Sequence, residues 1–237
     1  MATPATSARG GIRPVHHGPR VLPATRIEWL VLAGTAMFVL YVFMDVVASL
    51  AYDGYSYRDQ TISELSAFGA PTRPFWLVMT VFYNLMTFAF AFGVLWFAGG
   101  RRTIRAVGWL LLALAFVGIL WWFAPMHRRE VLEAGGGTWQ DTMHLVVGGL
   151  NALYFAVIAV GAFAFGRAFR LYPFATIAAM LVFGTLMGIQ APAVSDNDPT
   201  PWLGIWERIT VEGAMLWQGV FAVLLFARLR GGGPTDR

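Results

Sequence analysis

The sequence predicts an all-α polytopic membrane protein, built as a bundle of six transmembrane helices. The 237 residues are 57% hydrophobic and only 13% charged, whereas soluble domains carry about a quarter charged residues. Six apolar runs approach or exceed the roughly 20 residues that a helix needs to cross a bilayer. Their length and their lack of period-two alternation favour helices over strands.

The predicted spans follow each other closely and form one membrane domain, residues 27–229. In chain order they are 27–50, 75–98, 103–124, 140–165, 171–190 and 206–229. Residues 1–26 combine arginine with proline and glycine and have no apolar core before a cleavage site, so they predict a disordered tail rather than a secretory signal. Residues 230–237 form a second tail.

Arginine is the only strongly basic residue in the chain, and its distribution predicts the orientation. Twelve of the 17 arginines fall in the two tails and in the second and fourth connections. Positive charge marks the cytoplasmic side. We therefore expect the protein to lie in the plasma membrane, with both termini in the cytoplasm. Because the arginines are dispersed at helix ends, the charge indicates a bilayer partner and no nucleic acid. The absence of cysteine excludes thiolate metal sites.

Eleven of the 13 acidic residues lie on the predicted outer side, where the connections are also longer. Asp45 lies inside the first span, on one face with Tyr41, Ser49 and Tyr52. An acid inside the membrane is costly and usually faces the bundle interior or water. Asp45 is therefore either a ligand-binding or proton-handling carboxylate, or an interfacial acid that is hydrogen-bonded to its surroundings.

The first outer connection contains Thr61-x-x-Glu64, which is typical of a capping box at the start of a short helix. Capping is one role for these two residues. Ser63 and Glu64 are also candidate ligand-binding residues, because they could cover the mouth of the bundle.

The strongest chemical pattern spans the second outer connection. His127 ends the third span, while Asp141 and His144 share one face at the start of the fourth. The glycines at 135–137 allow the chain to fold back and bring the three residues together. Such a set could hold zinc or another divalent ion, act as a catalytic acid/base pair oriented by Asp141, or form a structural network.

The sixth span opens with three further charged candidates. Arg208 and Glu212 are spaced for an i,i+4 ion pair and are otherwise candidate ligand-binding residues. Glu207 lies nearer a second face, and is a candidate catalytic residue if the span packs beside the histidines.

Several outer segments together resemble domain-of-unknown-function family 998 of bacterial and archaeal membrane proteins. They are residues 59–65, 69–74, 124–127, 138–144 and 201–209. The resemblance covers roughly 27–229 and implies a six-helix membrane protein without implying an activity.

The composition of the site also resembles that of alkaline-ceramidase-type membrane hydrolases. That resemblance implies a zinc ion held by one aspartate and three histidines near one bilayer face. Here His127, Asp141 and His144 would serve, with a carboxylate such as Asp45 or Glu207 in place of a third histidine.

Three functions remain open at this point. The first is a membrane hydrolase that acts on a lipid or amphiphile at the outer leaflet. The second is a small-solute binding or transport protein that uses Asn84, Asn151 and Gln218. The third is a structural or partner-binding subunit.

Overall fold

The computed structural model describes residues 24–231, and within this range it confirms the all-α class. Eight α-helices and two short 3-10 helices make up the described chain, with no strand among them. Of the predicted tails 1–26 and 230–237, residues 1–23 and 232–237 lie outside the described residues, whereas residues 24–26 and 230 belong to the first and last helices. The α-helices are α1 (Ala24–Ala51), α2 (Arg73–Ala98), α3 (Arg102–Leu120), α4 (Arg129–Glu133), α5 (Trp139–Leu150), α6 (Leu153–Gly161), α7 (Leu171–Ser195) and α8 (Leu203–Arg230). The 3-10 helices are Ile62–Ser66 and Arg167–Arg170.

Six candidate spans are long and apolar enough to cross a membrane, as predicted. They are α1, α2, α3, the α5–α6 pair, α7 and α8, with the 3-10 turn Arg167–Arg170 leading into α7. Large apolar side chains cover the outside of the bundle; Leu50 is 82% exposed and Leu171 is 79% exposed. Such a surface suits lipid rather than water. The protein is therefore a multi-pass membrane protein.

Three spans differ in detail from the prediction, and one of them, α7, continues to Ser195 rather than ending at 190. The third helix ends at Leu120 rather than at 124, and residues 121–124 continue as turns. The fourth span is divided between α5 and α6, with a turn at Asn151 and Ala152. Gly148, Gly149 and Asn151 have low helix propensity, so the helix gives way there.

The helices pack around one apolar core that occupies the half of the bundle nearer the described termini. Helix α1 lies against α2 and α8, α2 against α3, and α7 against α8. The buried core includes Val31, Phe90, Val94, Leu111, Trp217, Phe221 and Leu225. Gly93 marks the closest approach of α2 to α1, because a Cβ there would lie 2.8 Å from the Leu30 carbonyl carbon.

At the opposite end, three connections fold into one unit that we call the cap, comprising residues 52–72, 121–138 and 196–202. The Phe68 amide donates to the Met126 carbonyl at 2.8 Å, and the Thr200 hydroxyl donates to the Asp59 carbonyl at 2.8 Å. The first connection is thus bonded to both of the others. The cap is the end that the arginine distribution predicts to be extracytoplasmic.

We expect Gly93→Ala to destabilise the bundle by about 1–3 kcal/mol, because the new methyl group would force α1 and α2 apart. The matched control is Gly213→Ala in α8, where a Cβ meets nothing within 4 Å and alanine favours the helix. Thermal unfolding of the purified protein in detergent measures both. Equal melting temperatures for the two variants would contradict this account of the α1–α2 contact.

Candidate functional site

A buried ion pair joins α1 to α8 directly beneath the cap. The Arg208 guanidinium donates from Nε to Asp45 Oδ2 and from Nη2 to Asp45 Oδ1, both at 2.8 Å. Asp45 is fully buried and Arg208 is only 4% exposed. The predicted pairing of Arg208 with Glu212 is therefore wrong. The Nε and Nη2 groups of Arg208 bind Asp45 of α1 instead.

The rest of the Arg208 guanidinium is bound by the first connection. Its Nη1 donates to the Tyr57 carbonyl at 2.8 Å and to the Gly204 carbonyl at 3.1 Å, while Nη2 reaches the Tyr55 hydroxyl at 2.9 Å. The Tyr57 ring lies 3.6 Å from the guanidinium carbon. A Cβ at Gly204 would overlap the carbonyl oxygens of Gln60 and Tyr57. The chain can therefore approach Arg208 this closely only because position 204 is glycine.

A second buried ion pair ties the first connection to the second. Arg129 donates from Nε to Glu64 Oε1 at 2.6 Å and from Nη2 to Oε2 at 2.9 Å. The Thr61 amide donates to the same carboxylate at 2.7 Å, and the predicted Thr61–Glu64 capping box is confirmed on the 3-10 helix Ile62–Ser66. Arg129 Nη1 also reaches the Asp198 carbonyl at 3.2 Å, which adds the third connection to the same group.

Burial alone would raise the pKa of the Glu64 carboxyl, but the hydrogen bonds and charge of Arg129 outweigh it and lower that pKa below its ordinary value. On the cap surface, the hydrogen bonds from Arg58 lower the pKa of Asp59 to about 2. Asp59 also accepts the Trp202 amide at 3.0 Å. Both carboxylates are therefore held ionised as acceptors within the cap.

Glu207 supports the 3-10 helix rather than meeting the histidines. Its Oε2 accepts the Ile62 amide at 2.5 Å, and its Oε1 lies 3.5 Å from the Ser63 hydroxyl. Glu207 is 9% exposed and Ser63 is half-buried. The structure thus brings two predicted site residues together, at a place that does not include His127 or His144.

His127 of the cap is paired with Asp141 in the first turn of α5. The His127 amide donates to Asp141 Oδ1 at 2.7 Å, and His127 Nδ1 lies 2.9 Å from Asp141 Oδ2. Both side chains are 18% exposed. Asp141 also accepts the Thr138 amide at 2.7 Å and so forms a capping box at the start of α5. Sequence reasoning foresaw the approach of these two residues but missed the capping role.

His144 does not join this pair. Its Nδ1 lies 2.8 Å from the Ala124 carbonyl oxygen, and its ring contacts the Trp121 ring at 4.8 Å between centroids. Across residues 24–231, no group of three or more His, Asp or Glu side chains is placed to hold a metal ion. The arrangement of His127, Asp141 and His144 therefore gives no support to the zinc hypothesis.

Polar side chains continue inward from Arg208 and end near the middle of the bundle. Glu212 Oε1 and Gln218 Oε1 are buried without a hydrogen-bond partner among the described residues. Gln218 lies ten positions beyond Arg208 in α8, which is about 15 Å along the helix. Phe221 and Leu225 then close the interior with apolar side chains.

The two other polar residues proposed for a solute path lie elsewhere. Asn84 faces Gly118 of α3, with its Nδ2 3.5 Å from that carbonyl oxygen, and Asn151 ends α5. Sequence reasoning also missed the roles of Tyr55, Tyr57 and Arg129. The only signal for Arg129 was a pair of adjacent arginines on the second outer connection.

We expect Asp45→Asn to destabilise the protein by about 3–5 kcal/mol, because it leaves the Arg208 charge buried and unpaired. Adding Arg208→Gln should recover part of this loss, so the double variant should be more stable than the sum of the two single changes predicts. Unfolding free energies in mixed detergent measure the cycle. Strictly additive values would show that the two residues do not interact.

We also expect the cap to lose stability in acid. Since the native pKa of Glu64 is lowered, its ionised form stabilises the fold above the unfolded-state pKa, and this contribution disappears as pH falls below about 4.5. The double variant Glu64→Gln with Arg129→Gln should flatten the fall of melting temperature with pH. Asp59→Asn removes the other carboxylate of the cap with a lowered pKa. It shows how much of the remaining dependence of melting temperature on pH comes from Asp59.

Residues 32–224 match the family model described as "Protein of unknown function (DUF998)". No curated protein and no solved structure matches the chain. The family match covers most of the chain, including α2, α3 and the whole cap, and the chain therefore belongs to the DUF998 family.

Proposed function

We propose that this protein is a membrane-embedded hydrolase that acts on a lipid or other amphiphile at the cap, with His127 as general base and Asp141 as the group that orients it. The observation that supports the proposal is the bonding of His127 to Asp141 through both its amide and its ring. An imidazole held by a carboxylate in this way is suited to take up and return a proton.

The hydrogen bonds assign the proton on the ring. Asp141 accepts the amide hydrogens of His127 and Thr138, so its carboxylate is an acceptor and Nδ1 carries the hydrogen. In the neutral ring Nε2 then bears a lone pair, and it makes no hydrogen bond within residues 24–231. Nε2 takes a proton from water, the resulting hydroxide attacks an ester, and the imidazolium returns the proton to the leaving alcohol. Asp141 stabilises the imidazolium while it exists.

The position of the pair supports a lipid or amphiphile as the substrate. His127 lies in the segment between α3 and α5. In the same segment Phe123 is 65% exposed, and Trp139, the first residue of α5, is 63% exposed. Exposed aromatic residues at the ends of spans are typical of the membrane–water interface. The ester groups of a lipid lie near that depth, which supports a lipid as the substrate of His127.

The other candidate residues have structural roles in this proposal. Asp45, Arg208 and Glu64 are occupied by bidentate ion pairs, and Glu207 holds the 3-10 helix. A through-pathway for a solute has less support, because the polar interior ends against Phe221 and the apolar core. Glu212 also has a free carboxylate oxygen, but it is buried below the cap, so among the described residues we assign the base to the interfacial pair.

We expect His127→Gln and Asp141→Asn to abolish or greatly reduce hydrolysis, by about 10²-fold or more, since a positioned general base contributes that much. The assay incubates purified protein with vesicles of phosphatidylglycerol and phosphatidylethanolamine and follows released fatty acids, lysolipids and headgroups by mass spectrometry. His144→Gln is the matched control, because His144 bonds to a backbone carbonyl rather than to a carboxylate.

Melting temperatures of the variants separate chemistry from folding. Unchanged melting temperatures with lost activity support the proposal. Full activity in His127→Gln, or no activity of the wild type on any lipid tested, argues against it. Loss of stability alone would favour the structural-subunit alternative.

A further inference from the structure

Two arginines of the predicted outer side lack an acidic partner. Arg58, Arg129 and Arg208 each form an ion pair, with Asp59, Glu64 and Asp45 respectively. By contrast, Arg73 and Arg128 form no ion pair within the part of the chain that the structure describes. Arg128 is exposed and Arg73 is half-buried. Their positive charge is therefore available to a ligand.

Both side chains reach the same turn, at Phe68 and Gly69. The Arg73 guanidinium carbon lies 4.6 Å from the centre of the Phe68 ring. A Cβ at Gly69 would lie 3.3 Å from Arg128 Nε. Gly69 has a φ of +82°, a conformation that favours glycine, and the missing side chain lets the Arg128 guanidinium pack closely against this turn.

His127 borders the same turn from the other connection. Its ring centroid lies 4.8 Å from that of Phe68, and the two residues form a parallel bridge. Arg73 is also the first residue of α2, where the positive end of the helix dipole adds to the charge of the guanidinium. We call the group of Arg73, Arg128, His127 and Phe68 the Phe68 cluster. It brings two guanidinium charges to the turn that His127 borders, while the Asp141 carboxylate lies 2.9 Å from His127 Nδ1.

We propose that the Phe68 cluster binds the phosphate group of a phospholipid. Guanidinium groups offer several donors in a planar arrangement that matches phosphate oxygens, and Arg73 commits Nη1 to the Ser66 carbonyl while it keeps its other donors. Phe123 and Trp139, which precede His127 and Asp141 in the chain, are exposed, and aromatic residues of this kind are typical of the membrane interface, where lipid phosphate groups lie. The assignment of the lipid as substrate rests on the proposed hydrolase function, whereas the binding itself does not.

The test is equilibrium binding of phosphatidylglycerol to purified protein, measured by native mass spectrometry of the retained lipid. Each arginine removed should weaken binding about tenfold, so Arg73→Gln with Arg128→Gln should lose nearly all retention. Arg58→Gln is the matched control, because it removes one charge from the same end of the bundle at an arginine that already has a partner. Arg128→Gln alone changes an exposed side chain, so it should fold normally. It tests the cluster even if the double variant does not fold.

Two further probes identify what the cluster recognises. Cholesteryl hemisuccinate carries a carboxylate without phosphate, and inorganic phosphate carries the phosphate without a lipid. Preferential, arginine-dependent retention of phosphatidylglycerol supports the proposal. Equal retention of the hemisuccinate, binding of inorganic phosphate without the lipid, equal loss in Arg58→Gln, or full retention in the double variant would each overturn it.

The binding measurement involves no turnover, so it fails or succeeds separately from the hydrolase. Arginine-dependent lipid binding without hydrolysis would remove the proposed function and keep this site. Hydrolysis that depends on His127, with lipid binding unchanged in the double arginine variant, would do the reverse.

Discussion

The cap depends on the burial of the Arg208 guanidinium against Asp45. Moving two charges out of water costs several kcal/mol for each ion, and the cost is recovered only when every donor finds a partner. Arg208 meets this requirement by drawing in the Tyr57 and Gly204 carbonyls and the Tyr55 hydroxyl. One ion pair thereby fixes α1, α8 and the first connection relative to one another. Such a pair specifies a geometry more than it adds stability.

The second ion pair extends this constraint over the whole cap. Glu64 and Arg129 join the first two connections, and Arg129 continues to the Asp198 carbonyl in the third. Long connections rich in charge suggest a mobile, functional surface, but here four charges of the cap, Arg58, Asp59, Glu64 and Arg129, bind one another in two ion pairs. Arg73 and Arg128 take no part in these pairs, and both side chains lie at the turn of Phe68 and Gly69, which His127 also borders.

The predicted fold was reliable because the bilayer imposes span length on any sequence that crosses it. Local patterns were equally reliable where the interaction itself is local, as in the Thr61–Glu64 capping box. The pairing of Arg208 was wrong because helical spacing identifies Glu212 as a neighbour, while Asp45 lies 163 positions away in the chain. Arg128 and Arg129 look alike in sequence, and only the packing of the cap turns one inward and the other outward.

The polar interior opens towards the cap and is closed by apolar residues on the other side. This limits the functions that the fold can support. A transporter needs polar access from both membrane faces and an element that moves between two arrangements. Here the polar residues end near Gln218, and the cap above them is cross-bonded by buried ion pairs. A lipid, however, reaches an interfacial site sideways through the bilayer and needs no opening of the bundle. A cross-bonded cap with His127 at its edge is compatible with that route. The hydrogen bonds keep His127 and Asp141 in their relative positions while the substrate moves.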